Sequence, residues 1–164
     1  MSLGTIGPEV VLNTYAEGPA TLEAVVKGLA EADLELSRGA GTWTIRQIVH
    51  HLADSEGLWA TCLKMAIGAP DASFKLDWYP GNDRWAQALG YDRRAIEPAM
   101  ALVRENRSYT AGLAEQLLGH WQQKVTVEGP APQGMSVGEV IGSLSAHLER
   151  HVEQIRTIRQ LHGR

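Results

Sequence analysis

The chain has a single cysteine, Cys62, and so can close no disulfide within itself. That suits a reducing compartment, and the expected location is the cytoplasm. Cys62 lies among Leu58, Trp59, Leu63 and Met65. Such surroundings predict a buried structural thiol, since a nucleophile wants basic, partly exposed neighbours. No apolar run approaches the ~18 residues of a membrane-crossing helix. Residues 1–7 lack the basic region and apolar core of a secretory leader. No membrane association is expected. Positive charge is also scarce: Lys and Arg total 15 against 19 Asp and Glu, a formal net charge of −4. A protein that grips phosphate backbones needs a basic face, so nucleic acid is not an expected partner. Arg150, Arg156, Arg159 and Arg164 do gather near the C-terminus. Glu149 and Glu153 interleave with them, which is the pattern of a solvated helix face. Internal repeats, low-complexity segments and a second-domain boundary are all missing. Residues 1–164 are read as one domain, long enough to bury a core.

What is present is helical periodicity. Residues 8–17 can form a short helix with Pro8 in its first turn, where the missing N–H costs nothing. Gly18-Pro19 interrupts it. Leu22, Val25, Val26 and Leu29 then share a stripe, either as a second helix or as the continuation of one bent helix. The next helix has a strong start. Thr44 with Gln47 fits a capping box, and Trp43 with Ile48 fits its hydrophobic staple. Ile45, Ile48, Val49, Leu52, Trp59 and Leu63 form the apolar stripe, and Gly68-Ala69-Pro70 stops it. Residues 71–90 are irregular and rich in aromatics: Phe74, Trp78, Tyr79 and Trp85. They are expected to pack over the mouth of a site or over one end of a bundle. Asp92 or Glu97 opens a third helix bearing Met100, Val103, Leu113 and Leu117. Residues 124–128 alternate like a short strand, and residues 129–134 are a loop. Ser136 with Glu139 repeats the capping box, with Met135 and Val140 as staple. A long apolar face follows through Val137, Ile141, Leu144, Leu148, Val152, Ile155 and Ile158. Four principal helices and little strand predict an all-α protein, an antiparallel four-helix bundle with an aromatic-rich loop between its second and third helices.

The last helix carries His147 and His151, four residues apart and therefore side by side, with Cβ atoms about 6 Å apart. They lie at the edge of the buried stripe. Two imidazoles so placed can each put a nitrogen on one ion at about 2.0–2.1 Å. Hydrogen-bonded core histidines or a surface pair would explain the spacing as well. A third ligand on a facing helix would decide for metal. His51, beside Leu52 and one turn after Ile48, is the inward member of the His50-His51 pair. His50 shares a face with Arg46, Gln47 and Asp54 and is expected outside, contacting solvent, a ligand's supporting shell or an interface. His120 and His162 follow helix ends, where a cationic side chain suits the dipole. Glu149 should point away from its histidine neighbours, so it offers no metalloprotease-type base. Glu56, and Glu105 with Asn106 on the third helix, are the remaining candidates to reach the core.

Residues 43–56, Trp-Thr-Ile-Arg-Gln-Ile-Val-His-His-Leu-Ala-Asp-Ser-Glu, are followed far downstream by Ala-His-Leu-Glu-Arg-His-Val-Glu-Gln-Ile. Together they resemble the DinB-like family, and the resemblance extends over about residues 12–160. It implies a four-helix bundle that binds a divalent metal ion through His51, His147 and His151. Zinc or nickel fits imidazole donors, with iron and manganese as alternatives. It also implies a homodimer acting on a small-molecule substrate. The family includes hydrolases and transferases that use a low-molecular-weight thiol such as bacillithiol, mycothiol or glutathione. Three neutral ligands leave coordination positions open, as in catalytic rather than closed structural sites. The expected function is therefore a metal-dependent hydrolase or thiol-dependent S-transferase. The alternative is a non-enzymatic metal- or ligand-binding bundle.

Overall fold

The computed structural model describes residues 7–70, 72–129 and 132–164. Residues 1–6, where no secretory leader was expected, and residues 130–131 of the expected loop lie outside the described residues. Among the described residues the five α-helices are α1 (Pro8–Val26), α2 (Ile45–Gly68), α3 (Asn82–Ala88), α4 (Glu97–Gln116) and α5 (Val137–Leu161). Three short strands are β1 (Ser73–Phe74), β2 (Lys124–Val127) and β3 (Gln133–Ser136). The four long helices make a bundle. Among the described residues no helix is long and apolar enough to cross a membrane.

Helix α1 is continuous through Gly18-Pro19, with both residues buried. The two capping boxes form as expected. The Gln47 amide donates to Thr44 Oγ1 at 3.3 Å and the Thr44 amide to Gln47 Oε1 at 2.9 Å. The Glu139 amide donates to Ser136 Oγ at 3.1 Å, and the Ser136 amide to Glu139 Oε2 at 2.7 Å. Each box satisfies two N–H groups that a helix start leaves without partners. The two ligand-bearing helices α2 and α5 thus begin at fixed residues.

Helix α1 packs on α4 and α5, and α2 packs on the same two. One core cluster joins Leu22 and Val25 of α1 to Ile48 of α2, Ala99 of α4 and Ile155 of α5. The other joins Leu12 to Leu63, Ala114 and Ile141. The start of α1 therefore meets the start of α5 and the ends of α2 and α4. So α1 runs parallel to α5 and α2 parallel to α4, while the α1–α4 and α2–α5 pairs are antiparallel. Parallel neighbours need a long return connection. This is what the aromatic-rich segment between α2 and α4 provides.

That segment is more ordered than its sequence suggests. It contains α3 and β1, and β1 pairs in parallel with β2. Strand β3 pairs antiparallel with β2, with Val125 opposite Met135. The loop expected over residues 129–134 therefore ends earlier, because Gln133 and Gly134 already belong to β3. Trp78, Tyr79 and Trp85 pack edge-to-face on one another.

Candidate metal centre

His51 projects from α2 toward α5, where His147 and His151 occupy successive turns. The three rings converge through one atom each. His51 Nε2 lies 3.0 Å from His147 Nε2, and His151 Nε2 lies 3.1 Å from that same atom. One ligand atom from each ring lies within 4.8 Å of the other two. His51 is buried, and His147 and His151 are half-buried. The residues that helical facing picked out are thus brought together from positions about a hundred residues apart.

The chemistry of this donor set fits a cation. His147 Nε2 faces two other Nε2 atoms. As a donor it could satisfy one of them, and as an acceptor it has one lone pair for both. Two nitrogens on one ion at about 2.0–2.1 Å would be separated by about 3.0–3.4 Å, the spacing found here. Gln154 fixes the tautomer of His151: its Oε1 accepts from Nδ1–H at 2.8 Å, leaving the Nε2 lone pair free. Trp43 sets its ring edge-on to His51 at 4.8 Å between centroids. The Trp43 indole N–H donates to Asp83 Oδ1 at 2.8 Å, which ties α3 to the site wall. The aromatic segment therefore supports the cluster from behind.

The electrostatics favour neutral rings. Burial, with the neighbouring His151, pushes His51 down to about 4. Burial, with His151, His51 and Arg150, pushes His147 down to about 3. His151 is also lowered, mainly by burial and partly by Arg150 and Arg38. Among the described residues no carboxylate joins the cluster. Ser55, one turn after His51, brings its hydroxyl 3.5 Å from His51 Nε2. Its i,i+4 spacing from His51 was the signal for it in the sequence.

Other candidates fall elsewhere. His50 is buried, with 2% of its surface exposed, which corrects the expectation that it lies outside. It stacks on Tyr91 at 5.6 Å, and its Nε2–H donates to the Arg94 carbonyl at 3.1 Å. The return segment covers the helix face that a bare bundle would expose. Asp54 accepts from the Tyr91 hydroxyl on that same face. Glu56 reaches the core but not the cluster. Its Oε1 accepts from Arg107 Nε at 2.8 Å and Nη2 at 2.6 Å, and its Oε2 accepts from the Tyr15 hydroxyl at 2.9 Å. Glu105 is exposed beside Arg104, so it leaves the core to Arg107. His162 donates from Nε2 to the Ser37 carbonyl at 2.9 Å, and His120 contacts Gln123. Cys62 is fully buried, and burial pushes its thiol up to about 11, as expected of a structural residue.

A helix bundle with three imidazoles facing one another across α2 and α5 defines a class of compact histidine-centred bundles. The family model of the DinB superfamily matches residues 14–155, and the chain belongs to that superfamily. A protein of Oceanobacillus iheyensis named "putative metal-dependent hydrolase" is 28% identical over 148 residues, covering 90% of this chain and 83% of its own. One of Geobacillus thermodenitrificans with the same designation is 28% identical over 148 residues, covering 90% and 81%. The solved structure of YfiT from Bacillus subtilis superposes with a TM-score of 0.85 and 20% identity, covering 99% of this chain and 93% of that one. It is described as "a probable metal-dependent hydrolase with an unusual four-helix bundle topology". At that identity the superposition speaks for the fold. In this chain the parallel α1–α5 and α2–α4 pairs depart from up-down order.

Proposed function

We propose that the chain is a metal-dependent enzyme whose centre is formed by His51, His147 and His151. The observation that carries this reading is the convergence of three Nε2 atoms from two helices, with the His151 tautomer set by Gln154. Imidazole donors suit zinc or nickel. A divalent ion at such an open site supplies a Lewis acid that acidifies water or holds a thiolate. The chain's own contribution is positional. The three rings hold the cation, Trp43 walls one side of His51, and the Ser55 hydroxyl offers a hydrogen bond to a ligand beside it. The relatives named above support hydrolysis of a small molecule.

Thiol-dependent transfer is the second reading, and one observation favours it. Glu56, the buried carboxylate nearest in sequence, is committed to Arg107 and Tyr15. No carboxylate general base then stands in the cluster among the described residues. A thiol whose proton is lost on binding a cation needs none.

The test is elemental analysis of purified protein beside His51→Ala, His147→Ala and His151→Ala. About one ion per chain is expected in the parent and at least about a tenfold loss in each variant. Equal metal content in all four would sink the shared centre. Ester and amide hydrolysis, assayed against S-transfer with several thiols, then separates the two chemistries.

A further inference from the structure

The three-histidine cluster opens on one side into a cleft of ≈ 300 Å³, to which it contributes His147. Helix α2 supplies Trp59, strand β3 supplies Gln133 and Met135, and α5 supplies Leu144 and Arg150. Its size lies at the small end of small-molecule sites, about 300–1,000 Å³. One wall is apolar and fixed. Trp59 packs on buried Phe74 of β1, 5.7 Å between ring centroids, and Leu144 belongs to the core. The other end is cationic. Arg150 follows His147 by three residues, so both point the same way from α5. Most arginines of the chain are engaged in ion pairs or backbone hydrogen bonds. Among the described residues Arg150 makes neither an ion pair nor a hydrogen bond. Among the described residues no carboxylate joins the three histidines.

We propose that this cleft is the substrate subsite of the centre and takes a small organic anion, with its anionic group on Arg150 and its apolar body against Trp59 and Met135. The proposal rests on the metal-centre reading for its placement, and the charge argument strengthens with it. A divalent ion would add positive charge beside Arg150, so a cationic ligand would be repelled at both ends. A neutral ligand would gain the apolar wall alone. A planar guanidinium suits carboxylate, phosphonate and other oxyanions through paired N–H donors. Arg150 acts here as a specificity residue and carries out no bond-making step.

The experiment is calorimetric titration of 3-phenylpropanoate, phenylphosphonate and neutral 3-phenylpropan-1-ol into zinc-loaded and EDTA-treated protein. The parent is compared with Arg150→Gln, Trp59→Leu and Arg156→Gln. Arg156 pairs with Glu153 at 2.6 Å outside this cleft and serves as the charge control. Arg150→Gln should weaken the two anions at least about tenfold while leaving the alcohol unchanged, since a charge-assisted pair is lost. Trp59→Leu should weaken all three probes, and Arg156→Gln none. Anion binding that is indifferent to Arg150, or lost equally in Arg156→Gln, would overturn the proposal, as would failure of both anions to bind the parent. Zinc retention with no Arg150 dependence leaves the metal centre standing and removes the subsite. Arg150-dependent anion binding in protein that retains no zinc after loading supports the subsite and removes the metal centre.

Discussion

Nη1 of Arg107 donates at 2.9 Å to the carbonyl oxygen of Tyr15, the oxygen that Pro19 leaves without its helical donor. In an α-helix the Tyr15 carbonyl would accept from the amide of residue 19, and proline has none. Arg107 reaches it from α4. Its Nη2 also donates to the Leu144 carbonyl of α5 at 2.8 Å. The same guanidinium pairs with Glu56 of α2 and lies over the Tyr15 ring at 4.4 Å. One side chain thus joins all four long helices, with both ends of the ion pair only 1% exposed. Burial pushes the Glu56 carboxyl up, and Arg107 and the Tyr15 hydroxyl pull it back.

Arg107→Leu should therefore be among the most damaging single substitutions in the chain. It strands a buried carboxylate and two carbonyls, for which about 3–5 kcal/mol is the expected loss. Adding Glu56→Gln should recover part of it by removing the charge left alone. Urea unfolding of the three proteins checks this. A double variant no more stable than Arg107→Leu would show that the pair is not the source.

Gly18 matters because of the same contact. A Cβ at position 18 would sit 2.2 Å from Arg107 Nη1. Alanine favours helices by up to about 1 kcal/mol over glycine, so propensity alone predicts that Gly18→Ala stabilises. The crowding should reverse that sign and cost about 1–3 kcal/mol. Gly57 is the comparison, since a Cβ there meets only Asn106 Nδ2 at 3.9 Å. Gly57→Ala should be neutral or stabilising. Denaturation midpoints that move the same way in both would remove the crowding argument.

These contacts mark where the sequence was legible. Thr44 with Gln47 and Ser136 with Glu139 are local devices, so spacing alone revealed them. His51, His147 and His151 followed from helical facing, because α2 and α5 each bury one continuous stripe. His50 did not, because its face is covered by a segment whose path depends on bundle topology. That topology, with α2 parallel to α4, is a long-range property that periodicity does not encode. The alternation of residues 124–128 did announce β2, but the short α3, β1 and β3 were missed because a few residues carry too little pattern. Arg107 did leave a signal: it sits in the apolar row Val103, Thr110, Ala114. Glu56 likewise continues the row from Leu52. Two opposite charges on two buried stripes point to one internal pair.

Neighbouring His50 and His51 should separate cleanly on substitution. His50 has a packing partner in Tyr91 and a hydrogen-bond acceptor in Arg94, and neither touches the cluster. His50→Ala should cost about 2–4 kcal/mol through the cavity and the lost hydrogen bond. Its metal content should stay at the parent level. His51→Ala should do the opposite, losing metal while the metal-free protein folds with comparable stability. Parallel unfolding and elemental analysis test the pair, and metal loss in His50→Ala would contradict the assignment.

Acid should destabilise the metal-free protein well above the carboxylate range. An unfolded histidine takes its proton near about 6.5, whereas the folded chain holds His51 near about 4 and His147 near about 3. His50 and His151 are lowered in the same direction by burial. Between these limits the unfolded chain binds more protons than the folded one, so stability must fall as pH falls. The stabilisation is complete above about 6.5 and is lost progressively as pH drops toward the folded values. Glu56 works against this trend, since a carboxyl raised by burial favours the folded state as it protonates. The histidines can be isolated with His51→Asn/His147→Asn, which removes the two most depressed groups. Urea midpoints at about pH 8 and about pH 5 should drop in EDTA-treated parent and drop less in the double variant. Added zinc should hold the parent's midpoint up at about pH 8 and lose that effect at about pH 5, because protons and the cation compete for the same Nε2 lone pairs. A parent midpoint that stays level between the two conditions without metal would mean that the three rings already share protons in the folded chain.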